Sequence, residues 1–142
     1  MERQRLVGIN HVALEVDDVE GALDFYGGLF GFAPPEREPG AAFIDMGDQF
    51  LALFQADAEE SERHFGLVVP DKRQARRALE AAGAEIISGQ RLDFRDPFGN
   101  RVQVVQYDQI QFTKTERVLR GMGLALGKTD EALAELRAKG LV

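Results

Sequence analysis

The 142-residue sequence contains no cysteine and only two histidines, His11 and His64. Without cysteine the chain can form no disulfide, no thiol nucleophile and no thiolate metal site. Its only serines, Ser61 and Ser88, lie outside any nucleophile-elbow pattern, and no glycine-rich P-loop pattern is present. The sequence therefore argues against cysteine or serine nucleophiles and against P-loop nucleotide binding.

Positive charge is also scarce. The 17 Lys and Arg residues against 24 Asp and Glu residues give a formal net charge of −7. Nucleic-acid phosphates and anionic membranes are bound by clustered basic residues, so we expect neither as a partner. No apolar run is long enough to span a bilayer, and the polar start Met1–Arg5 predicts no signal peptide. With the absent cysteines, this pattern favours a cytoplasmic protein with a small-molecule ligand.

The two halves of the sequence show the same order of predicted elements, which indicates an internal duplication. When His11 is aligned with His64, Asp18 meets Asp71. When Phe43 is aligned with Phe94, the apolar runs 51–54 and 102–105 coincide, and a glutamine follows soon after each. Each half reads β-α-β-β-β.

Periodicity and turn residues give the approximate bounds of these elements. The first half has strands over 9–16, 31–37, 41–46 and 49–55, and a helix over 19–30 with an inward face of Val19, Leu23, Tyr26 and Phe30. The second has strands over 64–69, 85–88, 91–95 and 101–105, and a helix over 71–82. We place module one at about 6–56 and module two at about 62–107, forming one domain over 1–107, and a helical tail at 108–142 with a helix over 129–139.

Strand alternation assigns the side chains of each half to two faces. Val12, Leu14 and Val16 should face the helices, which leaves His11 and Glu15 on the opposite face. The same alternation places His64 and the last-strand residue Gln103 on that opposite face. We therefore predict a small-molecule cavity, apolar with a few polar groups, as ligand pockets usually are. Its predicted lining is His11, Glu15, Phe50, Phe54, His64 and Gln103.

The duplicated β-α-β-β-β order, the strand-opening histidines and the turn Asp96–Asn100 before Arg101 resemble the vicinal oxygen chelate superfamily over about residues 6–107. This group includes glyoxalase I, extradiol dioxygenases, fosfomycin-resistance thiol transferases and metal-free bleomycin-resistance proteins. The resemblance implies an α+β fold in which two modules enclose one shared cavity. It also implies metal ligands on the first and last strands of each module, at the positions of His11, Ala52, His64 and Gln103.

Two of these four positions depart from the superfamily pattern. Ala52 cannot ligate a metal, and Gln103 stands where such proteins usually have glutamate. His11, His64 and Gln103 would form a neutral three-ligand set that suits Zn, Ni, Mn or Fe only loosely. Glu15 lies four residues from His11, roughly 13 Å along an extended strand, which is too far for a shared metal ion. Glu15 is instead our candidate general base.

Two main functions stay open at this point. The first, which we favour, is a metal-dependent enzyme of the glyoxalase or dioxygenase kind, whether lyase, isomerase, dioxygenase or transferase. Its metal would bind vicinal oxygens of a small substrate that contacts Phe50, Phe54 and Arg101. The second is a metal-free binding protein of the bleomycin-resistance type, which Ala52 and Gln103 favour. A third alternative is a vestigial cavity in a protein that acts through its tail or its dimer surface. We also expect a homodimer, because pairing can cover the edges of half-open sheets.

Overall fold

Two β-α-β-β-β modules and a helical extension make up the computed structural model, which describes residues 3–57 and 62–142. The first module contains β1 (Gly8–Val16), α1 (Val19–Leu29), β2 (Glu36–Glu38), β3 (Ala41–Asp45) and β4 (Phe50–Gln55). The second contains β5 (His64–Val69), α2 (Lys72–Ala81), β6 (Glu85–Ile87), β7 (Leu92–Arg95) and β8 (Arg101–Gln106). A 3-10 turn (Tyr107–Gln109), α3 (Glu116–Gly121) and α4 (Asp130–Ala138) follow. The α+β class and the duplicated module are confirmed.

All eight strands form one sheet in the order β2-β3-β4-β1-β5-β8-β7-β6. At its centre β1 pairs antiparallel with β5, while β4 runs parallel to β1 and β8 runs parallel to β5. The second module therefore repeats the strand order of the first in reverse, as an approximate twofold axis between β1 and β5 would produce. This arrangement brings the strand that carries His11 directly beside the strand that carries His64.

The helix caps of the two modules are also duplicated. Asp18 precedes α1 and Asp71 precedes α2. The Asp18 carboxylate accepts one hydrogen bond from a backbone N–H of the first turn, and the Asp71 carboxylate accepts two. At the ends of β4 and β8, the side chains of Gln55 and Gln106 accept a bond from the first N–H of the same helices, at 3.2 and 2.8 Å. Gln106 thus lies on the helix face of the sheet, as strand alternation predicts.

The helices bury one face of the sheet, which we call the helix face. Leu23 of α1 packs with Leu53 of β4, and Ala75 of α2 packs with Val104 of β8. The inward position expected for Phe30 is wrong, because its side chain is 64% exposed. The chain leaves the helix there in an extended conformation (φ −131°), so Phe30 does not continue the apolar face.

The alignment of Phe43 with Phe94 is wrong by one residue. The register pairs Phe43 with Ala52 in the first hairpin and Asp93 with Gln103 in the second. The turn between β3 and β4 holds four residues, 46–49, whereas the turn between β7 and β8 holds five, 96–100. Because of the extra residue, Asp93 rather than Phe94 is the equivalent of Phe43. Asp93 therefore lies on the face of the sheet that carries the histidines, which we call the cavity face.

The C-terminal tail packs back onto the first module. In α4, Leu136 is fully buried, and the Lys139 ammonium lies 2.8 Å from the Asp45 carboxylate on β3. The Lys128 ammonium donates hydrogen bonds to three backbone carbonyls within residues 107–112 and lies 3.5 Å from the centre of the Tyr107 ring. In the part of the chain that the structure describes, no helix is long and apolar enough to cross a membrane.

Candidate functional site between the two modules

The two histidines meet at the centre of the sheet. The ring centroids of His11 on β1 and His64 on β5 are 5.3 Å apart, and the rings are nearly perpendicular, at 80°. Both side chains are buried, with exposed fractions of 5% and 7%. The site therefore lies at the seam of the duplicated modules, and neither module builds it alone.

An oxygen atom orients each imidazole ring. A register shift in β1 between Ile9 and His11 accompanies a contact in which His11 Nδ1 lies 2.8 Å from Asn10 Oδ1. His64 Nδ1 lies 2.9 Å from the backbone carbonyl of Glu62. Because a carbonyl oxygen only accepts hydrogen bonds, the proton of each neutral ring belongs on Nδ1. The lone pair of each ring is then on Nε2.

Burial also controls the protonation of His11. Desolvation, reinforced by His64 and Arg91, lowers the pKa of His11 from 6.5 to about 4, and the opposing effects of Gln103 and Asp93 are smaller. His11 is therefore a neutral imidazole at physiological pH.

Aromatic and small side chains form the rest of the wall. The His11 ring stacks on the Phe50 ring, with centroids 4.7 Å apart and planes within 4° of parallel. The ring centroids of Phe54 and His64 are 6.2 Å apart. Ala52, which is 1% exposed, takes up little room beside them. These side chains enclose a cavity of about 250 Å³, here called the histidine cavity. Its lining is Asn10, His11, Phe43, Phe50, Ala52, Phe54, His64, Arg91, Gln103, Val105 and Ile110.

The donors available for a metal ion are few. Across residues 3–57 and 62–142, no cluster of three or more His, Cys, Asp or Glu side chains has a metal-binding arrangement. The donors that remain for a metal ion are the two imidazoles and the side-chain amide of Gln103. Gln103 lines the same cavity and interacts with His11. Two nitrogen donors and one amide oxygen can ligate a divalent ion weakly, without a carboxylate to offset its charge.

Comparison with known proteins identifies the family. Residues 8–104 match the model of the glyoxalase/bleomycin resistance protein/dioxygenase superfamily, which is more than half of the chain. The chain belongs to this superfamily. Residues 105–142, which include the end of β8 and the whole tail, lie outside the match.

Solved structures of the superfamily share the fold. The Mn(II)-bound glyoxalase from Novosphingobium aromaticivorans aligns with 88% of this chain and 46% of its own, at 19% identity and a TM-score of 0.62. A catechol 2,3-dioxygenase aligns with 76% of this chain and 41% of its own, at 17% identity and a TM-score of 0.60. The methylmalonyl-CoA epimerase from Mycobacterium tuberculosis aligns with 75% of this chain and 91% of its own, at 14% identity and a TM-score of 0.56. The chain thus spans less than half the length of the first two proteins.

Within this superfamily fold, two of the predicted site residues lie apart from the histidine cavity. Glu15 is not among the residues that line it, and its carboxylate lies 3.3 Å from the backbone N–H of Arg63, as a hydrogen-bond acceptor. Arg101 donates to Asp93 from two guanidinium nitrogens, at 2.7 and 2.9 Å, and lines a neighbouring cavity with Arg91. The structure does bring His11, Phe50, Phe54, His64 and Gln103 together around one space.

Sequence reasoning missed five residues that line the histidine cavity, and it missed Asp93, a buried carboxylate on the same face of the sheet. The five lining residues are Asn10, Phe43, Arg91, Val105 and Ile110. Asn10 reaches the cavity through the register shift in β1, which the alternation of apolar residues does not reveal. Asp93 is 3% exposed, and its Oδ1 has no hydrogen-bond partner in the described chain. The length of the following turn, five residues against four, is the signal that would have placed it. Ile110 belongs to the tail, outside the repeat.

Proposed function

We propose that the chain is a metal-dependent enzyme that acts on a small, oxygen-rich substrate in the histidine cavity, with a divalent ion held by His11, His64 and Gln103. The observation that carries this proposal is the anchoring of both imidazole rings. A histidine that ligates a metal through one nitrogen usually donates the other N–H to a carbonyl or carboxylate oxygen. His11 and His64 both have that second-nitrogen contact, at 2.8 and 2.9 Å.

A bound divalent ion would supply Lewis-acid polarisation of a substrate oxygen. The side chains of the cavity would hold the ion and make room for the substrate. His11 is already neutral near pH 7, so no proton has to leave it before it ligates. Gln103 would offer its amide oxygen, and the small side chain of Ala52 leaves room for substrate atoms. Phe50 and Phe54 would keep water away from the reacting group.

The proposed base remains Glu15, although the geometry demands a movement. Its carboxylate would have to leave the Arg63 N–H and turn toward the cavity. In the described chain no Asp or Glu lines the histidine cavity. We therefore expect Glu15→Gln to lower turnover while leaving metal affinity unchanged, if Glu15 transfers a proton.

A second candidate is a metal-free small-molecule binder. The observation that favours it is the composition of the wall, because the cavity has aromatic side chains from Phe43, Phe50 and Phe54 and no carboxylate ligand. His11 stacked on Phe50 would then be part of an aromatic surface for a flat ligand.

Divalent-ion titration calorimetry on protein purified without a histidine tag tests the two candidates. Gln103→Glu would add a negative charge beside the ion, and a close charge pair is worth on the order of a few kcal/mol even with strong screening. We expect affinity to rise by about tenfold or more. Adding His11→Ala or His64→Ala should abolish that gain. Gln74→Glu makes the same charge change on α2, across the sheet, and is the matched control.

The outcomes separate the candidates. Wild-type binding that either alanine variant abolishes supports the metal-dependent enzyme, and Ala52→Glu should tighten binding further. If Gln103→Glu binds metal no better than Gln74→Glu, then Gln103 does not point at the two histidines. The metal-free binder would then be the better description.

A further inference from the structure

Among the residues that the structure describes, Asp93 is the only buried side chain with an unpaired polar atom. The residue is 3% exposed, and its Oδ1 accepts no hydrogen bond. An unpaired acceptor in a buried position is costly, and the cost is larger for a charged group than for a neutral one. Such an atom calls for a donor that reaches it when the neighbouring site is occupied.

The ion pair with Arg101 leaves this oxygen available. Arg101 donates from Nε at 2.9 Å and from Nη2 at 2.7 Å, and both hydrogen bonds end on Asp93 Oδ2. Arginine–carboxylate pairs are frequently bidentate, with two parallel hydrogen bonds to the two oxygens. Here the Arg101 side chain, itself only 12% exposed, anchors the carboxylate through one oxygen and leaves the other for a second partner.

The neighbour of Asp93 on the cavity face is Gln103. The two residues lie directly opposite each other on β7 and β8, so their Cβ atoms are about 5 Å apart. On its other side Gln103 pairs with Gly66 of β5, and a Cβ at Gly66 would lie 2.4 Å from the His11 ring. Gln103 reaches His11 across this glycine, and its hydrogen bond opposes the lowering of the His11 pKa. Gln103 therefore stands between the imidazole of His11 and the carboxylate of Asp93.

The first module provides an internal comparison, because its matching hairpin lacks this polar pair. The position equivalent to Gln103 holds Ala52, and the residue opposite Ala52 is Phe43 rather than a carboxylate. The Phe43 ring packs against Phe50, with centroids 6.1 Å apart. Where the ligand position holds an amide, the opposite residue is a carboxylate, and where it holds alanine, the opposite residue is apolar. The duplication thus associates Asp93 with the amide of Gln103.

We infer that Asp93 is a positioning residue of the proposed metal site, where its Oδ1 accepts a hydrogen bond from the Gln103 amide nitrogen while the amide oxygen faces the ion. This inference rests on the proposed function. An amide that ligates through its oxygen leaves its NH2 group to donate, and Asp93 Oδ1 is the unpaired acceptor opposite it. The carboxylate would also offset part of the charge of an ion whose three ligands are neutral.

A reversal of hydrogen-bond polarity between the two positions tests this inference. In Asp93→Asn the new carbonyl oxygen has to face Arg101, which only donates, so the new NH2 group faces Gln103 and turns the amide oxygen away from the ion. We expect zinc affinity in titration calorimetry of the full chain to fall about tenfold or more. In a Gln103→Glu background the same change should lower affinity about threefold or less, because the introduced carboxylate accepts from the asparagine.

Asp45→Asn is the matched control for the loss of one carboxylate from the cavity face. Asp45 lies opposite Phe50, in the strand row that contains His11, and has no contact with Gln103 in the register. Its side chain is 46% exposed, so its charge is well screened. We expect this variant to change zinc affinity by less than about twofold.

Side-chain amide NMR reads the contact in the wild type, which keeps the inference testable if Asp93→Asn does not fold. The Gln103 signals are assigned by their absence from Gln103→Leu. One equivalent of zinc should shift both NH2 proton signals of Gln103 and slow the exchange of one of them with water. In a folded Asp93→Asn protein, zinc should not slow this exchange.

The outcomes distinguish this inference from the proposed function. Suppose that zinc shifts the imidazole signals of His11 and His64 but leaves the Gln103 amide unchanged, or that Asp93→Asn lowers affinity equally in both backgrounds. Either result overturns the positioning role and leaves the proposed metal site intact. If zinc does not bind the imidazoles of the wild type, both the proposed function and the inference are overturned.

Discussion

The buried neutral His11 should make the metal-free protein lose stability in mild acid. Its pKa is about 4 in the folded state against 6.5 ordinarily. Between these values the unfolded chain binds more protons than the folded chain, so stability rises with pH. The stabilisation is complete above pH 6.5 and is lost as the pH falls from 6.5 toward 4. Linkage gives a loss of about 2 kcal/mol at pH 5, and about 3 kcal/mol when both states are protonated.

Urea denaturation between pH 7.5 and 4.5 measures this loss, with His11→Phe as the comparison. Phenylalanine keeps the apolar stack on Phe50 and removes the titrating group, so the variant should lose about 2 kcal/mol less than the wild type by pH 5. Because the chain has only two histidines, the NMR titration curve of His11 is easily assigned. A His11 pKa near 6 or above, or equal pH dependence in both proteins, would refute the account of its burial.

Three further predictions concern Gly66, Lys128 and the oligomeric state. Gly66→Ala would place a Cβ 2.2 Å from the Asn10 oxygen and 2.4 Å from the His11 ring, so it should cost about 1 to 3 kcal/mol in urea denaturation and weaken metal binding. Gly121→Ala has open space around its Cβ and serves as the control. Lys128→Met should cost about 2 to 3 kcal/mol in the same assay, since three carbonyls lose an ammonium donor. The homodimer stays a prediction: light scattering should give twice the 15.7 kDa chain mass, and Phe25→Asp in the exposed apolar face of α1 should reduce it.

Much of the fold was predictable because local patterns determine it. The strands with two-residue alternation, and the helices capped by Asp18 and Asp71, lie within one or two residues of their expected bounds. The site residues on regular strands were predictable for the same reason. Alternation alone puts His11, His64 and Gln103 on one face, and the duplication brings the two histidine strands together.

The remaining site features depend on departures from regular spacing. A register shift in β1 brings Asn10 to the cavity, and one extra turn residue reorients Asp93. Both features change the direction of a side chain but leave the pattern of apolar residues unchanged. Packing of the tail is a tertiary effect. The N-cap Thr129 and the inward Leu136 predict the helix α4, but nothing local shows that Lys139 reaches Asp45.

Nitrogen NMR of the two imidazoles during titration with zinc tests the proposed metal site most directly. Zinc has a filled d shell and gives no paramagnetic broadening. The proposed function predicts that the Nε2 signals of His11 and His64 shift together at one equivalent of zinc. Both Nδ1 atoms should stay protonated against Asn10 and the Glu62 carbonyl. Imidazole signals that stay unchanged, or a shift confined to one ring, would contradict a shared site.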